Sequence, residues 1–305
     1  MPSSMMVREE AGRRRGRGGV ELFWREWLPG ETGEVRPGVD GGGLPAPRGT
    51  VILLVHGAGE HSGRYGDLGV YFATRGVPVL AYDARGLGRS GGTPGHVDRF
   101  EDYVEDVLAF REMALERHPG ARVVLVGHSM GGLVVLATAL EHPAAFAAVV
   151  GSGPLLGIAA EVPKWKVALG RAVVKVAPKL TMTSAFDPSL LARNPEVGRR
   201  YSEDPYVLWR QGARVTTRWF IEINRGMTET MARARELKTP VFILQGSADR
   251  VVSPDGAKAF FDALGDIPKA FRFLEGFYHE LFQEDEREEV FAEIERWLQG
   301  LGLLA

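Results

Sequence analysis

Cysteine is absent from the 305-residue chain. That absence excludes disulfides, thiolate metal sites and a cysteine nucleophile. No apolar run reaches 18 residues, and no hydrophobic stretch follows the basic N-terminus, so the sequence favours neither a membrane span nor a secretory signal. The formal net charge is only -2, which gives no reason to expect a nucleic-acid partner. We therefore expect a cytoplasmic protein.

Two stretches have the composition of irregular chain. Residues 1–19 are rich in arginine and glycine, with acidic residues among them, and we predict a disordered leader with solvated arginines. Residues 30–49 are rich in glycine and proline, which indicates a loop. Between them, Val20–Leu28 has the pattern of a strand.

The rest of the chain alternates apolar strand-like runs with helical segments. Continuous apolar strands separated by helices are typical of a parallel sheet covered on both faces. We predict an α/β fold with a mostly parallel central sheet, in a core domain of residues 20–153 and 226–305. The strand-like runs are 50–56, 77–83, 122–127, 147–152, 240–246 and 269–276, and the helical segments are 66–75, 98–117, 130–142, 254–264 and 284–299.

The alternation stops between residues 154 and 225, where helical patterns occur without a convincing core strand. We predict a helical cap inserted between two strands. Within the cap, residues 163–180 hold four of the seven lysines, on a helix whose other face is apolar. Such a helix either packs on its own domain with solvated lysines, or makes transient contact with a lipid surface while its apolar side lines an acyl tunnel.

The segment VVLVGHSMGG, residues 123–132, joins a strand to a helix through a Gly-x-Ser-x-Gly turn. In this strand–turn–helix context the serine is a nucleophile held on strained backbone, and side chains at the two glycines would collide with the strand or helix. The pattern therefore indicates Ser129 as a nucleophile.

The same five-residue pattern recurs at Gly88–Gly92. With 39 glycines in the chain, one accidental match is expected about one time in five. This copy lies beyond its strand and runs into Thr93-Pro94 rather than a helix. We therefore interpret Ser90 as a loop residue.

A serine nucleophile needs a histidine base, and the base needs a carboxylate on its far side. Hydrolases with this elbow carry the three in the order Ser, Asp or Glu, His. Only His142 and His279 follow Ser129, and His142 lies roughly 18 Å along the helix, so His279 is the predicted base. Asp249, directly after a strand, is the predicted acid. Asp255 is its rival, but it follows a Ser-Pro helix start and suits the helix dipole better.

An acyl-transfer intermediate also needs two donors for its oxyanion. We predict the backbone N–H of Met130, at the start of the helix after Ser129, and the N–H of Ala58, which lies between two glycines after the first core strand. His56, Glu60 and His61 are expected to brace that loop. None of this chemistry calls for a metal or a cofactor.

The assembled residues resemble the monoacylglycerol lipase and lysophospholipase group of the α/β-hydrolase superfamily. The resemblance rests on HGAGEHSGRY at 56–65, DARGLGRSGG at 83–92, GHSMGG at 127–132, GSADRVV at 246–252 and YHE at 278–280. It implies a triad of Ser129, Asp249 and His279, an oxyanion hole of Ala58 and Met130, and a mobile helical cap over an acyl tunnel.

The function expected from this resemblance is hydrolysis of single-chain lipid esters, with monoacylglycerol the first candidate. Lysophospholipids, short-chain esters and amide-type substrates are the alternatives within the same chemistry. The alternative of a different class is a non-catalytic hydrolase-fold protein that binds a ligand. Such proteins usually lose a catalytic residue, and this chain retains the full set.

Overall fold

A single eight-stranded sheet forms the centre of the computed structural model, which describes residues 7–30, 49–159, 173–174, 176–184, 187–211 and 213–305. The strand order is β1-β2-β4-β3-β5-β6-β9-β10, and all pairs are parallel except β1–β2 and β2–β4. The predicted α/β fold with a mostly parallel sheet is confirmed. The strands are β1 (Val7–Arg15), β2 (Glu21–Pro29), β3 (Thr50–Val55), β4 (Val79–Tyr82), β5 (Arg122–His128), β6 (Ala148–Ser152), β9 (Val241–Gly246) and β10 (Lys269–Leu274).

Helices cover both faces of the sheet. Helices α1 and α7 pack on one face, and α2, α3 and α6 pack on the other. Every residue of β3, β4 and β9 is buried, because a strand between two helical layers has no solvent-facing side. The helices of the described chain are α1 (Gly66–Ala73), α2 (Glu101–Arg117), α3 (Met130–Glu141), α4 (Pro195–Glu203), α5 (Thr217–Ala232), α6 (Pro254–Ala263) and α7 (Arg287–Gly300).

The order of the strands determines where a ligand can bind. The chain passes from β3 outward to β4 and then returns to the other side of β3 to form β5. Their connections therefore leave a crevice outside the carboxyl ends of β3 and β5, and ligands of open α/β sheets bind at such a reversal. The loop after β3 and the turn after β5 are the ones that contain Ala58 and Ser129.

The prediction of a disordered leader is wrong for residues 7–19. Val7–Arg15 forms the edge strand β1, antiparallel to β2, and a short turn follows it. The arginines there are held by carboxylates of neighbouring elements, as in the Arg14–Glu116 pair at 2.7 Å. These ion pairs take the place of an apolar face, which is why composition suggested disorder. Residues 1–6 lie outside the described part of the chain.

One buried carboxylate links the hairpin to the end of helix α2. Glu26 of β2 is fully buried and accepts hydrogen bonds from Arg117 Nε at 2.5 Å and from His118 Nε2 at 2.6 Å. Arg117 also contacts Glu10 of β1. The end of helix α2 is thereby joined to both strands of the hairpin.

The cap differs from the prediction in composition and in extent. It contains a two-stranded antiparallel sheet of β7 (Thr181–Ser184) and β8 (Ala213–Thr216), so it is not purely helical. The boundary at residue 225 falls inside helix α5, which runs continuously to Ala232. That helix joins cap to core, because Trp219 Nε1 donates to Tyr103 Oη at 3.1 Å.

Two predicted features fall largely outside the described residues. The Gly/Pro-rich loop at 30–49 is described only at its ends, and the basic amphipathic helix at 163–180 only from residue 173, without residue 175. Among the helices that the structure does describe, none is long and apolar enough to cross a membrane.

Arg117→Ala is expected to lower the free energy of unfolding by about 2 to 3 kcal/mol, because it leaves the buried Glu26 carboxylate with one fewer charged partner. Urea unfolding measures the change. Arg13→Ala is the matched control on the same hairpin, since the Arg13–Glu21 pair is exposed (46% and 58%) and such pairs contribute less than about 1 kcal/mol. Equal losses in the two variants would contradict the assigned role of Glu26.

Candidate active site

The turn after β5 holds Ser129 on strained backbone. Its φ of 53° and ψ of -117° make it the one non-glycine residue of the described chain with positive φ. The turn is also closely packed. A Cβ on Gly127 would lie 2.4 Å from the Gly131 carbonyl oxygen, and a Cβ on Gly131 would lie 2.1 Å from the Val55 carbonyl oxygen. Glycine is therefore required at both positions, as the sequence predicted.

Neighbouring elements fix the backbone around Ser129. The Ser129 N–H donates to the Ser152 carbonyl at 3.0 Å, and the Ser129 carbonyl accepts from Leu155 N–H at 2.9 Å. Helix α3 begins at Met130, whose side chain is fully buried. The Met130 N–H thus belongs to the first turn of a helix, where the backbone carries partial positive charge.

Asp249 and His279 form a buried pair at the same edge of the sheet. His279 Nδ1 lies 2.8 Å from Asp249 Oδ2, and the two residues are only 3% and 6% exposed. The other carboxylate oxygen of Asp249 accepts from the amides of Val251 and Val252 at 2.8 and 3.0 Å. These bonds orient the carboxylate and place the histidine proton on Nδ1, which leaves Nε2 free to act as a base.

The pair shifts the pKa of each partner. Burial alone would raise the pKa of Asp249, but the nearby His279 and the two amides outweigh it, so that pKa lies below its usual range. Burial alone would lower the pKa of His279, but the charge and the hydrogen bond of Asp249 outweigh it and raise that pKa. A raised histidine pKa means a stronger base in the site.

A second histidine, His128, packs against His279 and is held in its neutral form. The ring centroids of His128 and His279 are 4.7 Å apart. Burial, followed by the proximity of His279, lowers the pKa of His128 to about 4. His128 Nδ1 lies 3.0 Å from the Ser152 carbonyl, which also accepts from Ser129. Neutral His128 therefore packs between the serine turn and the histidine loop.

The loop after β3 is braced as expected. Ala84 N–H donates to His56 Nε2 at 2.8 Å, which assigns the ring proton to Nδ1, and Nδ1 contacts the Gly57 carbonyl at 2.7 Å. In a trans peptide the next N–H points opposite to the carbonyl, so the Ala58 N–H is directed away from His56. The loop passes beside Ser129, since a Cβ on Gly57 would lie 3.2 Å from Ser129 Cβ.

The turn from Gly57 to Glu60 has further support. The Glu60 carboxylate accepts from Gly57 N–H at 2.6 Å and from Tyr65 Oη at 2.5 Å. His61 caps the short helical turn Ser62–Tyr65 by accepting from Gly63 N–H. His56, Glu60 and His61 are thus the bracing residues that the sequence predicted.

Two residues that support the Asp249–His279 pair were not predicted from the sequence. Gln245 donates from Nε2 to Asp249 Oδ2 at 3.0 Å. Gly153, with φ of 49°, passes so close that a Cβ there would lie 3.4 Å from His279 Nδ1. Only its place directly after β6, at the same sheet edge, could have indicated Gly153. Gln245 could have been found from its place four residues before Asp249.

The rejected alternatives lie where the sequence placed them. Ser90 lies in the loop after β4, where its hydroxyl donates to the Asp83 carbonyl. His142 ends helix α3, and Asp255 lies exposed in the first turn of α6, which Ser253 caps. Among the described residues, no three His, Asp or Glu side chains are arranged to hold a metal ion.

The fold and the site together define the class of the protein: it is an α/β-hydrolase. More particularly, the chain belongs to the family described as serine aminopeptidase, S33, whose model matches residues 45–286. It is 31% identical over 283 residues to a protein named monoacylglycerol lipase of Mycolicibacterium smegmatis, with 93% of this chain and 94% of that one covered.

Two further comparisons give the same family. The chain is 32% identical over 283 residues to human monoglyceride lipase, covering 92% of this chain and 87% of the relative. Among solved structures, a monoacylglycerol lipase of Paleococcus ferrophilus matches with a TM-score of 0.75 at 34% identity, covering 83% of this chain and 96% of that one. Carboxylic ester hydrolysis is thus supported by sequence and by structure.

The raised pKa of His279 predicts a particular pH profile. We expect kcat/KM to fall as the pH is lowered through an apparent pKa above the ordinary histidine value of 6.5, because the protonated ring cannot accept a proton. Asp249→Asn should lower kcat by roughly 10⁴-fold and move the remaining acid limb to lower pH. Asp255→Asn is the control and should keep the wild-type profile. An acid limb well below 6.5 in the wild type would refute the assignment.

Proposed function

We propose that this protein is a monoacylglycerol lipase that cleaves single-chain glycerol esters through an acyl-enzyme on Ser129. The observation that carries the proposal is the buried Asp249–His279 pair, 2.8 Å apart, at the sheet edge where Ser129 lies on strained backbone. A serine, a histidine and a carboxylate so placed are the groups of nucleophilic acyl transfer.

In the first half of the proposed reaction, Ser129 Oγ attacks the ester carbonyl carbon as His279 Nε2 takes the hydroxyl proton. Asp249 remains ionised, because its pKa lies below the usual range, and it stabilises the imidazolium that forms. The imidazolium then gives its proton to the leaving glycerol oxygen. The product of this half is glycerol and an acyl ester of Ser129.

The negative charge on the carbonyl oxygen develops between two backbone amides. We assign these to Met130, in the first turn of α3, and to Ala58, whose N–H direction follows from the His56–Gly57 contact at 2.7 Å. Backbone amides need no reorganisation during the reaction, and losing one such donor typically costs roughly 10² to 10³-fold in kcat. A water molecule, activated by His279, then hydrolyses the acyl-enzyme by the same steps.

The substrate class is supported by the relatives, several of which are named for monoacylglycerol. The family description names a peptidase instead. Amide substrates, lysophospholipids and short-chain esters are therefore the alternative substrates. No triad or oxyanion position is lost, which argues against a non-catalytic binding protein. The nucleophile and the amides supply the chemistry without a metal or a cofactor.

Ser129→Ala is expected to lower the hydrolysis rate of 1-monooleoylglycerol by at least roughly 10⁴-fold, because the attacking oxygen is removed. The matched control is Ser90→Ala in the second Gly-x-Ser-x-Gly segment, which should keep the wild-type rate. Rates are measured on 1-monooleoylglycerol, lysophosphatidylcholine, 4-nitrophenyl acetate and a prolyl-4-nitroanilide.

Preference for 1-monooleoylglycerol supports the proposed substrate class. If another substrate of the panel is preferred, the proposed substrate class is wrong, but the proposed reaction through Ser129 still stands. A wild-type rate no higher than that of Ser129→Ala on every substrate would refute the enzyme and favour a binding protein.

We also propose that this enzyme works in the cytoplasm and makes transient contact with lipid surfaces through its cap. Val176 is 85% exposed and Leu180 is 53% exposed, and the exposed Lys179 lies between them. Apolar side chains beside a cation suit the boundary between acyl chains and headgroups.

The double variant Val176→Glu/Leu180→Glu should reduce sedimentation with phosphatidylcholine–phosphatidylglycerol vesicles several-fold, because two carboxylates would enter an anionic interface. Hydrolysis of water-soluble 4-nitrophenyl acetate should be unchanged. Val70→Glu is the control, since Val70 is a 44% exposed apolar residue on helix α1 of the core. Equal binding by all three proteins would contradict contact through the cap.

A further inference from the structure

One segment of the cap contacts two loops of the candidate active site. The α4 segment is defined here as residues 191–209, which include helix α4 and the residues on either side of it. Its beginning lies against the loop that contains His279, and its end lies against the loop after β3 that contains Ala58. These two loops belong to different ends of the sequence, so the cap connects them.

At the beginning of the segment, a backbone hydrogen bond and a buried carboxylate hold the loop that contains His279. Glu280 N–H donates to the Leu191 carbonyl at 2.7 Å. The buried Glu284 carboxylate accepts from Arg193 Nε at 3.1 Å and from Tyr278 N–H at 3.1 Å. The residues on both sides of His279 are therefore tied to the cap.

At the end of the segment, three contacts hold the loop after β3. Leu208 N–H donates to the Gly59 carbonyl at 2.7 Å. The indole of Trp209 packs on Gly59, where a Cβ would lie 2.6 Å from the ring. His61 Nε2 lies 2.9 Å from Asp204 Oδ2, and because His61 Nδ1 accepts from Gly63 N–H, the proton that makes this bond is on Nε2.

The middle of the segment contacts the guanidinium of Arg64, which forms ion pairs with both loops. Arg64 lies over the buried ring of Tyr201 at 4.6 Å. It pairs with Glu60, beside the Ala58 loop, and with Glu280, next to His279. Burial, countered mainly by Arg64, raises the pKa of Glu280. Burial would also raise the pKa of Glu60, but Arg64, His128, His56 and the Tyr65 hydrogen bond together outweigh it and lower that pKa to about 2. The side chains of Arg64, Glu60 and Glu280 are only 8%, 3% and 4% exposed, so these ion pairs are shielded from solvent.

We propose that Leu208 and Asp204 are positioning residues for the oxyanion hole, so that the cap controls transition-state stabilisation as well as substrate access. Ala58 lies between Gly57, which His56 and Glu60 hold from the core, and Gly59, which Leu208 holds from the cap. Without the Leu208 bond, the cap donates no hydrogen bond to the Gly59 carbonyl and contacts Gly59 only through the ring of Trp209. The inference rests on the proposed function, because it assumes that Ala58 N–H contacts the oxyanion.

The test removes one hydrogen bond and keeps the fold. Leu208 is the first residue of the short helical turn Leu208–Gln211, a position where proline is tolerated. Leu208→Pro removes the N–H together with the leucine side chain. Leu208→Pro is expected to lower kcat by about 10 to 100-fold, equally for 4-nitrophenyl acetate and 1-monooleoylglycerol, with KM for the acetate unchanged. Leu208→Ala loses the side chain but keeps the N–H and should stay near the wild-type kcat.

Affinity for phenylboronic acid, which forms a tetrahedral adduct with a nucleophilic serine, should fall in parallel with kcat in Leu208→Pro. Asp204→Asn retains an acceptor for His61 and should keep most of the activity, whereas Asp204→Leu should lower kcat on both esters. Thermal unfolding and circular dichroism confirm that each variant is folded.

The outcomes separate this inference from the proposed function. If wild-type protein hydrolyses neither ester, the proposed function fails. If it hydrolyses both and Leu208→Pro equals Leu208→Ala, the function stands and the positioning role is refuted. A loss confined to 1-monooleoylglycerol would show that the cap acts only as a gate and would also refute it.

Discussion

The close approach of helix α3 to strands β3 and β5 is the constraint on which the rest of the site depends. A Cβ on Gly131 would lie 2.1 Å from the Val55 carbonyl oxygen, so the helix can start where it does only because that side chain is missing. The approach forces Ser129 to positive φ and brings the first turn of α3 to the carboxyl end of β3. The loop after β3 then passes beside Ser129, so the proposed nucleophile and the proposed oxyanion donors share one crevice.

Burial of charged and titratable groups defines the electrostatics around this crevice. Three of the histidines near Ser129 are almost fully buried, yet their pKa values move in different directions. Burial lowers the pKa of His56 and His128, which therefore serve as neutral hydrogen-bonding groups. At His279 the Asp249 carboxylate outweighs burial and raises the pKa. Of these three rings only His279 is hydrogen-bonded to a carboxylate, while His56 and His128 contact backbone carbonyls. That difference distinguishes the proposed base from its neighbours.

Features governed by local pattern could be predicted from the sequence, and features made by contacts between distant segments could not. The core strands, the Ser129 turn and the Asp249 and His279 loops follow from apolar runs and from the common edge of a parallel sheet. Strand β1 was missed because its side chains are mostly charged. It pairs with the nearby strand β2, but its Glu10 and Arg14 are held by residues of helix α2 about a hundred positions away. The small sheet of the cap and the Leu208–Gly59 bond also join segments that no short-range pattern relates.

The insertion of the cap between β6 and β9 has a consequence beyond covering the sheet. The cap begins directly after β6, at the carboxyl edge of the sheet, and the chain contacts both the His279 and the Ala58 loops through the α4 segment before helix α5 leads back to the core. The loops that contain Ala58 and His279 therefore both have the cap as a neighbour, and Arg64 joins them through Glu60 and Glu280. A lid attached only at its hinges could move without disturbing the chemistry. Under the proposed mechanism, a lid that donates a backbone hydrogen bond to Gly59 cannot, because the energy of the proposed oxyanion site would depend on donor positions fixed to a fraction of an ångström.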